Sequence, residues 1–273
     1  MRIAIVTSKV NPLADGEMLL PSALEKAGYS IDIESWDDQS VSWNQYNYAI
    51  IRTPWNYINN PEAFLRWLNR VSNETPVFNH PNLIKWNIDK SYLLDLEGKG
   101  IRIVPTSLVD DTVSFDLAKR IYGSDVVIKP LIGNSAVGIT RKLPSDYKPN
   151  ERYLVQPFVH EVANGVISVM FFGGELSHSI RSIPAANDFR TQPQYGTRDE
   201  KYILGEPETN YCKKVLSTLP ILPLYARVDY ILDDSGPMLL ELELIEPYLF
   251  FEFFDDSTQI FTNALKRQIS GIV

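Results

Sequence analysis

Arg227-Val228-Asp229-Tyr230, a short loop, and then Leu239-Leu240-Glu241-Leu242-Glu243-Leu244-Ile245-Glu246-Pro247 form the stretch that decides the reading of this chain. Read as two strands, the period-two alternation sets Asp229, Glu241 and Glu243 where two or all three of them point out of one side of an otherwise apolar sheet. A carboxylate among Leu, Ile and Val must be exposed, paired or bound to a cation, because burying it bare and ionised costs too much. No Cys-x-x-Cys or His-x-x-x-His spacing accompanies these acids, and an all-oxygen set suits magnesium or manganese better than zinc. The plainer alternative is an ordinary antiparallel strand that shows its acids to water. Magnesium favours one or two carboxylates together with nucleotide phosphates, so the metal reading asks for a phosphate cradle upstream.

Such a cradle is offered by Val126-Val127-Ile128-Lys129-Pro130 and the following Leu131-Ile132-Gly133-Asn134-Ser135-Ala136-Val137-Gly138-Ile139. A strand that delivers a lysine at its end and runs into a loop of small residues between Gly133 and Gly138 can fold backbone N–H groups around phosphate oxygens. It is not a Walker motif, in which the lysine closes the loop, and no Gly-x-Gly-x-x-Gly follows the first strand. A hairpin with a surface lysine would look the same in isolation.

Composition narrows the class. The chain has 273 residues, 44% of them hydrophobic, which is enough for one large α/β domain or two to three lobes. A net charge of −8 and a pI near 5.0 argue against a generic nucleic-acid binder. Met1-Arg2-Ile3-Ala4-Ile5-Val6 reads as a strand rather than a secretory leader, and no apolar run reaches membrane-spanning length. A single cysteine, Cys212, excludes an intramolecular disulfide and fits a reducing cytoplasm. His80, His160 and His178 are too few and too scattered to suggest a metal site.

Alternating strands and helices from residue 1 to about 80 imply a small parallel sheet. A helix over Asn87 to Leu96 then leads to short strands around Ile103, Val126 to Lys129 and Tyr153 to Gln156. Strands follow over Val166 to Phe172, Glu175 to Ile183, Tyr225 to Leu232 and Met238 to Leu244, with helices near Pro207 to Ser217 and Asp256 to Ile269. The stretch from Pro184 to Lys201 reads as a long loop, a common carrier of function.

In chain order these features are Trp86-Asn87-Ile88-Asp89-Lys90, the Lys129 strand with its glycine loop, Tyr153-Leu154-Val155-Gln156-Pro157-Phe158-Val159-His160-Glu161, then Arg181, Arg227 and the acids. Together they resemble the ATP-grasp superfamily along essentially the whole chain. Arg52-Thr53-Pro54-Trp55-Asn56-Tyr57, Phe171 to Ser179 and Glu241 to Pro247 are similar to the group holding glutathione-synthetase-like and cycloserine-synthetase-like ligases. The resemblance implies an α/β fold with a Rossmann-like pre-ATP-grasp lobe at 1–84, a linker helix and lid lobe at 85–165, and a catalytic lobe at 166–273. It implies ATP with Mg²⁺ or Mn²⁺: Lys90 and Lys129 on the phosphates under a loop of Gly133, Ser135 and Gly138, and Gln156, Phe158 and Val159 around adenine. Glu161 or a neighbour would meet the ribose, and Asp229, Glu241 and Glu243 would hold the metal. Glu243 stands where the family commonly has Asn, which adds a negative charge.

The same resemblance implies an ATP-dependent carboxylate–amine or carboxylate–nitrogen ligase acting through an acyl-phosphate, with small carboxylate and amine substrates. A carboxylate is a poor electrophile until phosphorylated, and phosphoryl transfer asks for positioning and charge neutralisation rather than a nucleophilic side chain. Arg227 and Arg181 are the expected catalytic cations, and Arg52, Trp55, Tyr57 and Arg190 the expected substrate contacts. Arg52 to Tyr57 follows a strand, where parallel α/β folds place ligands. An intramolecular cyclase and an ATP-binding module without turnover are the alternatives. No nucleic-acid or membrane partner is expected, and a homodimer is left open.

Overall fold

Four strands near the N-terminus, β1 (Arg2–Thr7), β2 (Ser30–Ser35), β3 (Tyr48–Ile51) and β4 (Val77–Phe78), form a parallel sheet in the order β2-β1-β3-β4. Ile3, Ala4, Ile5 and Val6 are all buried, the continuous apolar run of a strand covered on both faces. Between the strands run α1 (Leu19–Lys26) and α2 (Pro61–Val71); α2 starts cleanly because Asn60 caps the Ala63 N–H at 3.1 Å and Pro61 needs no donor at the first turn. The computed structural model describes residues 1–271 apart from 11, 149 and 187, so Asn187 of the expected long loop and Ile272 and Val273 of the expected catalytic lobe lie outside the described residues.

The expected helix over Asn87 to Leu96 is two shorter ones, α3 (Pro81–Asn87) and α4 (Tyr92–Gly98). The break has local causes. Asp89 accepts from the Ser91 N–H at 2.9 Å, and the Lys90 N–H leaves the helix pattern to reach the Leu131 carbonyl at 2.8 Å. A small antiparallel sheet follows, β5 (Ser107–Val109), β6 (Val126–Pro130) and β7 (Tyr153–Pro157) in the order β5-β7-β6, covered by α5 (Thr112–Tyr122). Sequence reading missed α5, although Asp111 and Ser114 make a capping box at its start and Gly123 stands just past its end.

The C-terminal part is an antiparallel sheet of five strands, β10-β9-β8-β11-β12, built from β8 (Val166–Phe172), β9 (Glu175–Ile183), β10 (Arg198–Lys201), β11 (Tyr225–Asp233) and β12 (Gly236–Glu243). It is flanked by α6 (Glu206–Ser217) and α7 (Ser257–Ile269). Strand β10 takes up the end of the stretch expected to be loop. Alternation along β8 divides the core. Ile167, Val169 and Phe171 pack with Tyr92, Leu93, Leu96, Cys212 and Val215, while Met170 and Phe172 pack with Phe261, Leu265 and the N-terminal Ile3 and Ile5. Along this second face of β11, the apolar Tyr225 gives way to Arg227 and Asp229.

Candidate active site

A cavity of about 470 Å³ lies between the three-stranded and five-stranded sheets and reaches the loop after β3. Its floor is set by strand register. Across β11 and β12, Arg227 stands opposite Glu243 and Asp229 opposite Glu241, with Ser168 of β8 on the other flank of Asp229. Directly opposed residues of an antiparallel pair share a face, so the three acids and the arginine converge. One oxygen from each of Asp229, Glu241 and Glu243 lies within 4.8 Å of the others.

Cations enter from two further elements. Lys90, in the break between α3 and α4, makes an ion pair with Glu241. The α3 end is itself tied to β12: the Asn87 amide donates to the Leu242 carbonyl at 2.8 Å and accepts from the Leu244 N–H at 2.9 Å. Lys129, on β6, is almost wholly buried and forms part of the cavity wall. Burial lowers its ammonium to about 8, against the pull of Glu241. Burial also pushes the Glu243 carboxyl up to about 8 despite the guanidinium of Arg227, with Glu241 and Asp229 adding to the rise. For Glu241 the upward push of burial is outweighed by Lys90 and Lys129, and the carboxyl lies below its usual range.

The loop after β6 overhangs this floor. Gly133, Asn134, Ser135, Ala136, Val137 and Ile139 line the cavity. Ser135 and Ala136 hold positive φ of 51° and 59°, a conformation costing roughly 1–2 kcal/mol per non-glycine residue. Asn134 Nδ2 donates to the Trp55 carbonyl at 3.0 Å and Gln194 Nε2 to the Ser135 carbonyl at 3.4 Å, so the loop is pinned from both sides. At the far end the wall is apolar, with Val104, Val127, Phe158, Val159, Val162, Ile231 and Leu240. Gln156 also lines this end, its side chain held by a 2.9 Å bond to Thr106 Oγ1.

Lys90, Lys129, Gly133, Ser135, Gln156, Phe158, Val159, Arg227, Asp229, Glu241, Glu243, Trp55, Tyr57 and Arg190 thus share one cavity. Four expected residues stand apart from its wall. Arg181 pairs with Glu200 and stands opposite Ile167, on the face of β9 turned away from Ser182, which does line the cavity; period-two alternation sets it off the cavity wall. Arg52 is fully buried: its Nε and Nη2 donate to the two oxygens of Glu17 at 2.9 Å, Nη2 also donates to the Pro247 carbonyl at 2.5 Å, and Nη1 has no hydrogen-bond partner among the described residues. Glu161 lies in a 3₁₀ turn whose Val162 takes the wall position. Gly138 lies behind the loop against Pro130.

Sequence reading missed Glu246. It follows the strand at an odd offset from Glu243, so alternation gave no sign that it would share the cavity, yet it lines the wall with Tyr57 bonded to it at 2.8 Å.

Residues 101–247 match the family model described as prokaryotic glutathione synthetase, ATP-grasp domain, and residues 3–79 match that of the N-terminal domain of the D-cycloserine synthetase DcsG. The chain belongs to the ATP-grasp family. It is an ATP-dependent ligase that forms carbon–nitrogen bonds. Among its relatives is the cycloserine biosynthesis protein DcsG of Streptomyces lavendulae, 28% identical over 98% of each chain. The glutathione synthetase of Mesorhizobium japonicum is 26% identical over 67% of this chain and 56% of that protein. The crystal structure of D-cycloserine synthetase DcsG superposes with a TM-score of 0.85 at 26% identity, covering 98% of this chain and 100% of that one. The D-alanine–D-alanine ligase of Bacillus anthracis shares the fold, with a TM-score of 0.68 at 15% identity over 99% of this chain and 96% of that one.

Proposed function

We propose that the chain activates a small, amino-acid-like carboxylate with ATP as an acyl-phosphate and joins it to an amine or similar nitrogen. The observation that carries this reading is the meeting of Lys90, Lys129 and Arg227 with three clustered carboxylates at the floor of one cavity whose other end is apolar. In the first step a carboxylate oxygen bonds to the γ-phosphorus as the bond to the ADP oxygen breaks. In the second, the nitrogen lone pair attacks the acyl carbon, the bond to the phosphate oxygen breaks, and the nitrogen gives up a proton to the departing phosphate. Both steps gather negative charge, which oriented cations in a water-poor site stabilise most where it develops.

Lys90 and Lys129 take the phosphate oxygens, and the N–H groups of the Gly133 to Gly138 loop close over them. The apolar end, with Gln156, Phe158 and Val159, takes the adenine. Arg227 steadies the phosphoryl group in transfer. Asp229, Glu241 and Glu243 fit a magnesium or manganese ion, being hard oxygen donors within 4.8 Å of one another, with burial and the neighbouring acids pushing the Glu243 carboxyl up despite Arg227. When bound, such an ion supplies charge neutralisation across the phosphates. In this reading 1–84 is the pre-ATP-grasp lobe, 85–165 the linker helix with the lid lobe, and 166–273 the catalytic lobe.

A second reading, ring closure within one substrate, is favoured by the matched N-terminal domain and the full-length likeness to a cycloserine biosynthesis protein. A screen of amino acids, alone and with candidate amines, for release of ADP and phosphate tests both. Turnover that needs a second amine supports intermolecular ligation, turnover with one compound supports cyclisation, and bound ATP with no turnover on any acid overturns the proposal.

A further inference from the structure

Past the metal-binding floor, the cavity wall holds a carboxylate of a different kind. Glu246 is 8% exposed, and its Oε1 accepts from the Tyr57 hydroxyl at 2.8 Å and from Asn134 Nδ2 at 3.4 Å. Both partners are neutral. Among the described residues no lysine, arginine or histidine lies within ion-pair distance of it, and Lys90 acts on it only at longer range. The three acids of the floor each touch a cation, Lys90 for Glu241 and Arg227 for Asp229 and Glu243. Of the two further acids that line the cavity, Asp199 is half-buried and Glu252 exposed, so Glu246 is the buried acid of this wall that meets no cation among the described residues.

Burial without a counter-charge is costly for a carboxylate, and here it pushes the Glu246 carboxyl above its usual range. Burial, with the charge of Glu246 adding to it, likewise pushes the Tyr57 phenol well up, so Tyr57 stays a donor. Trp55, which also lines the cavity, spends its indole N–H on the Glu246 backbone carbonyl at 3.1 Å and leaves its ring as wall. An anion at an aromatic wall, with hydrogen-bonding neighbours but no adjacent cation, is the complement of a primary ammonium: the carboxylate supplies charge and acceptors, and the rings add cation–π attraction.

We infer that Glu246, with Tyr57 and Trp55, is the subsite for an ammonium group of the substrate, so that the acid activated at Lys90, Lys129 and Arg227 is an amino acid rather than a simple or hydroxy acid. This rests on the ligase reading and narrows its substrate class. The ammonium held here is a binding handle: it settles which acids enter and how they lie, and its loss acts on binding before it acts on chemistry.

The test uses the full chain loaded with magnesium and a non-hydrolysable ATP analogue, and measures binding of matched pairs: D- and L-alanine against the lactates, D- and L-serine against the glycerates. At least one amino acid is expected to bind tenfold or more tighter than its hydroxy counterpart, and Glu246→Gln is expected to cut that preference to threefold or less with analogue binding unchanged. Should Glu246→Gln not fold, Glu246→Asp carries the test, and is expected to keep the sign of the preference while weakening amino-acid binding. Equal binding within every pair, an undiminished preference in Glu246→Gln, unweakened amino-acid binding in Glu246→Asp, or binding of no pair overturns the inference. Failure of the wild-type protein to bind the analogue at all would instead defeat the ligase reading.

Discussion

The guanidinium of Arg227 grips the carboxylate of Asp229, two residues along the same strand, with Nε 2.9 Å from Oδ1 and Nη2 2.8 Å from Oδ2, and at the same time pairs with Glu243 on the neighbouring strand. This bidentate fork holds two of the three proposed metal ligands in place, so Arg227 has a structural duty alongside its proposed catalytic one.

Arg227→Met separates those duties. If the arginine stabilises the phosphoryl group in flight, kcat should fall roughly 10²-fold or more while the KM for ATP changes far less. If it only positions the acids, the magnesium requirement rises and excess metal restores the rate. Magnesium titration of the variant distinguishes them, and full rescue would remove Arg227 from the chemistry.

Changing Glu241 and Glu243 together to Gln should abolish turnover and leave the fold intact. Gln keeps the shape of each side chain while removing the charge that a magnesium ion needs. Circular dichroism and ADP release check the two halves; an unfolded protein or full turnover would contradict the metal assignment.

Stability of the metal-free protein should fall as pH rises through about 8, because Glu243 holds its proton in the folded state to about 8 and in the unfolded chain only to its ordinary value of 4.5. The folded state then binds more protons across that window, which is the condition for stability to decline with rising pH. Thermal melts at pH 6 and 8 should show a smaller decline for Glu243→Gln than for the wild type, and magnesium should stabilise the wild type more at pH 8.

Lys129 is shifted in the opposite direction, downward, and the consequence falls on ligand binding. With its ammonium lowered to about 8 by burial, the free protein has lost part of this charge at pH 8, and phosphate binding should restore it. Metal-free ADP binding should therefore take up protons near pH 8 and weaken at higher pH. Calorimetry in buffers of different ionisation enthalpy would show the uptake in the wild type and its loss in Lys129→Met.

Arg52→Met should cost roughly 3–5 kcal/mol of stability, the range for removing one partner of a buried pair, because it leaves Glu17 charged and buried. Denaturant melts would show it as a lowered midpoint. Glu17→Gln with Arg52→Met should recover part of the loss.

Much of the fold was legible in the chain. Val166 to Phe172 and Glu175 to Ile183 are strands from end to end, because dense β-branched and aromatic residues meet two glycines at a turn. Lys90 and Lys129 could be picked out as cations at a helix and a strand end, but their distance from Glu241 could not. Arg181 shows the limit most plainly. Alternation sets it opposite Ser182 in direction, yet nothing local says which direction faces the cavity; that depends on which side of the sheet receives α6 and which receives α7.

The sequence by itself determined the period of each strand, the hard-ligand character of Asp229, Glu241 and Glu243, and the order of motifs along the chain, because these depend on residue type and near neighbours. Only the tertiary structure decided that Arg52 is spent on Glu17, that Arg181 lies on the far face, and that Glu246 joins Tyr57 across 189 residues of chain. Those outcomes rest on packing and charge pairing between distant segments, and the energy of such contacts is set by where the backbone brings them rather than by any pattern written locally.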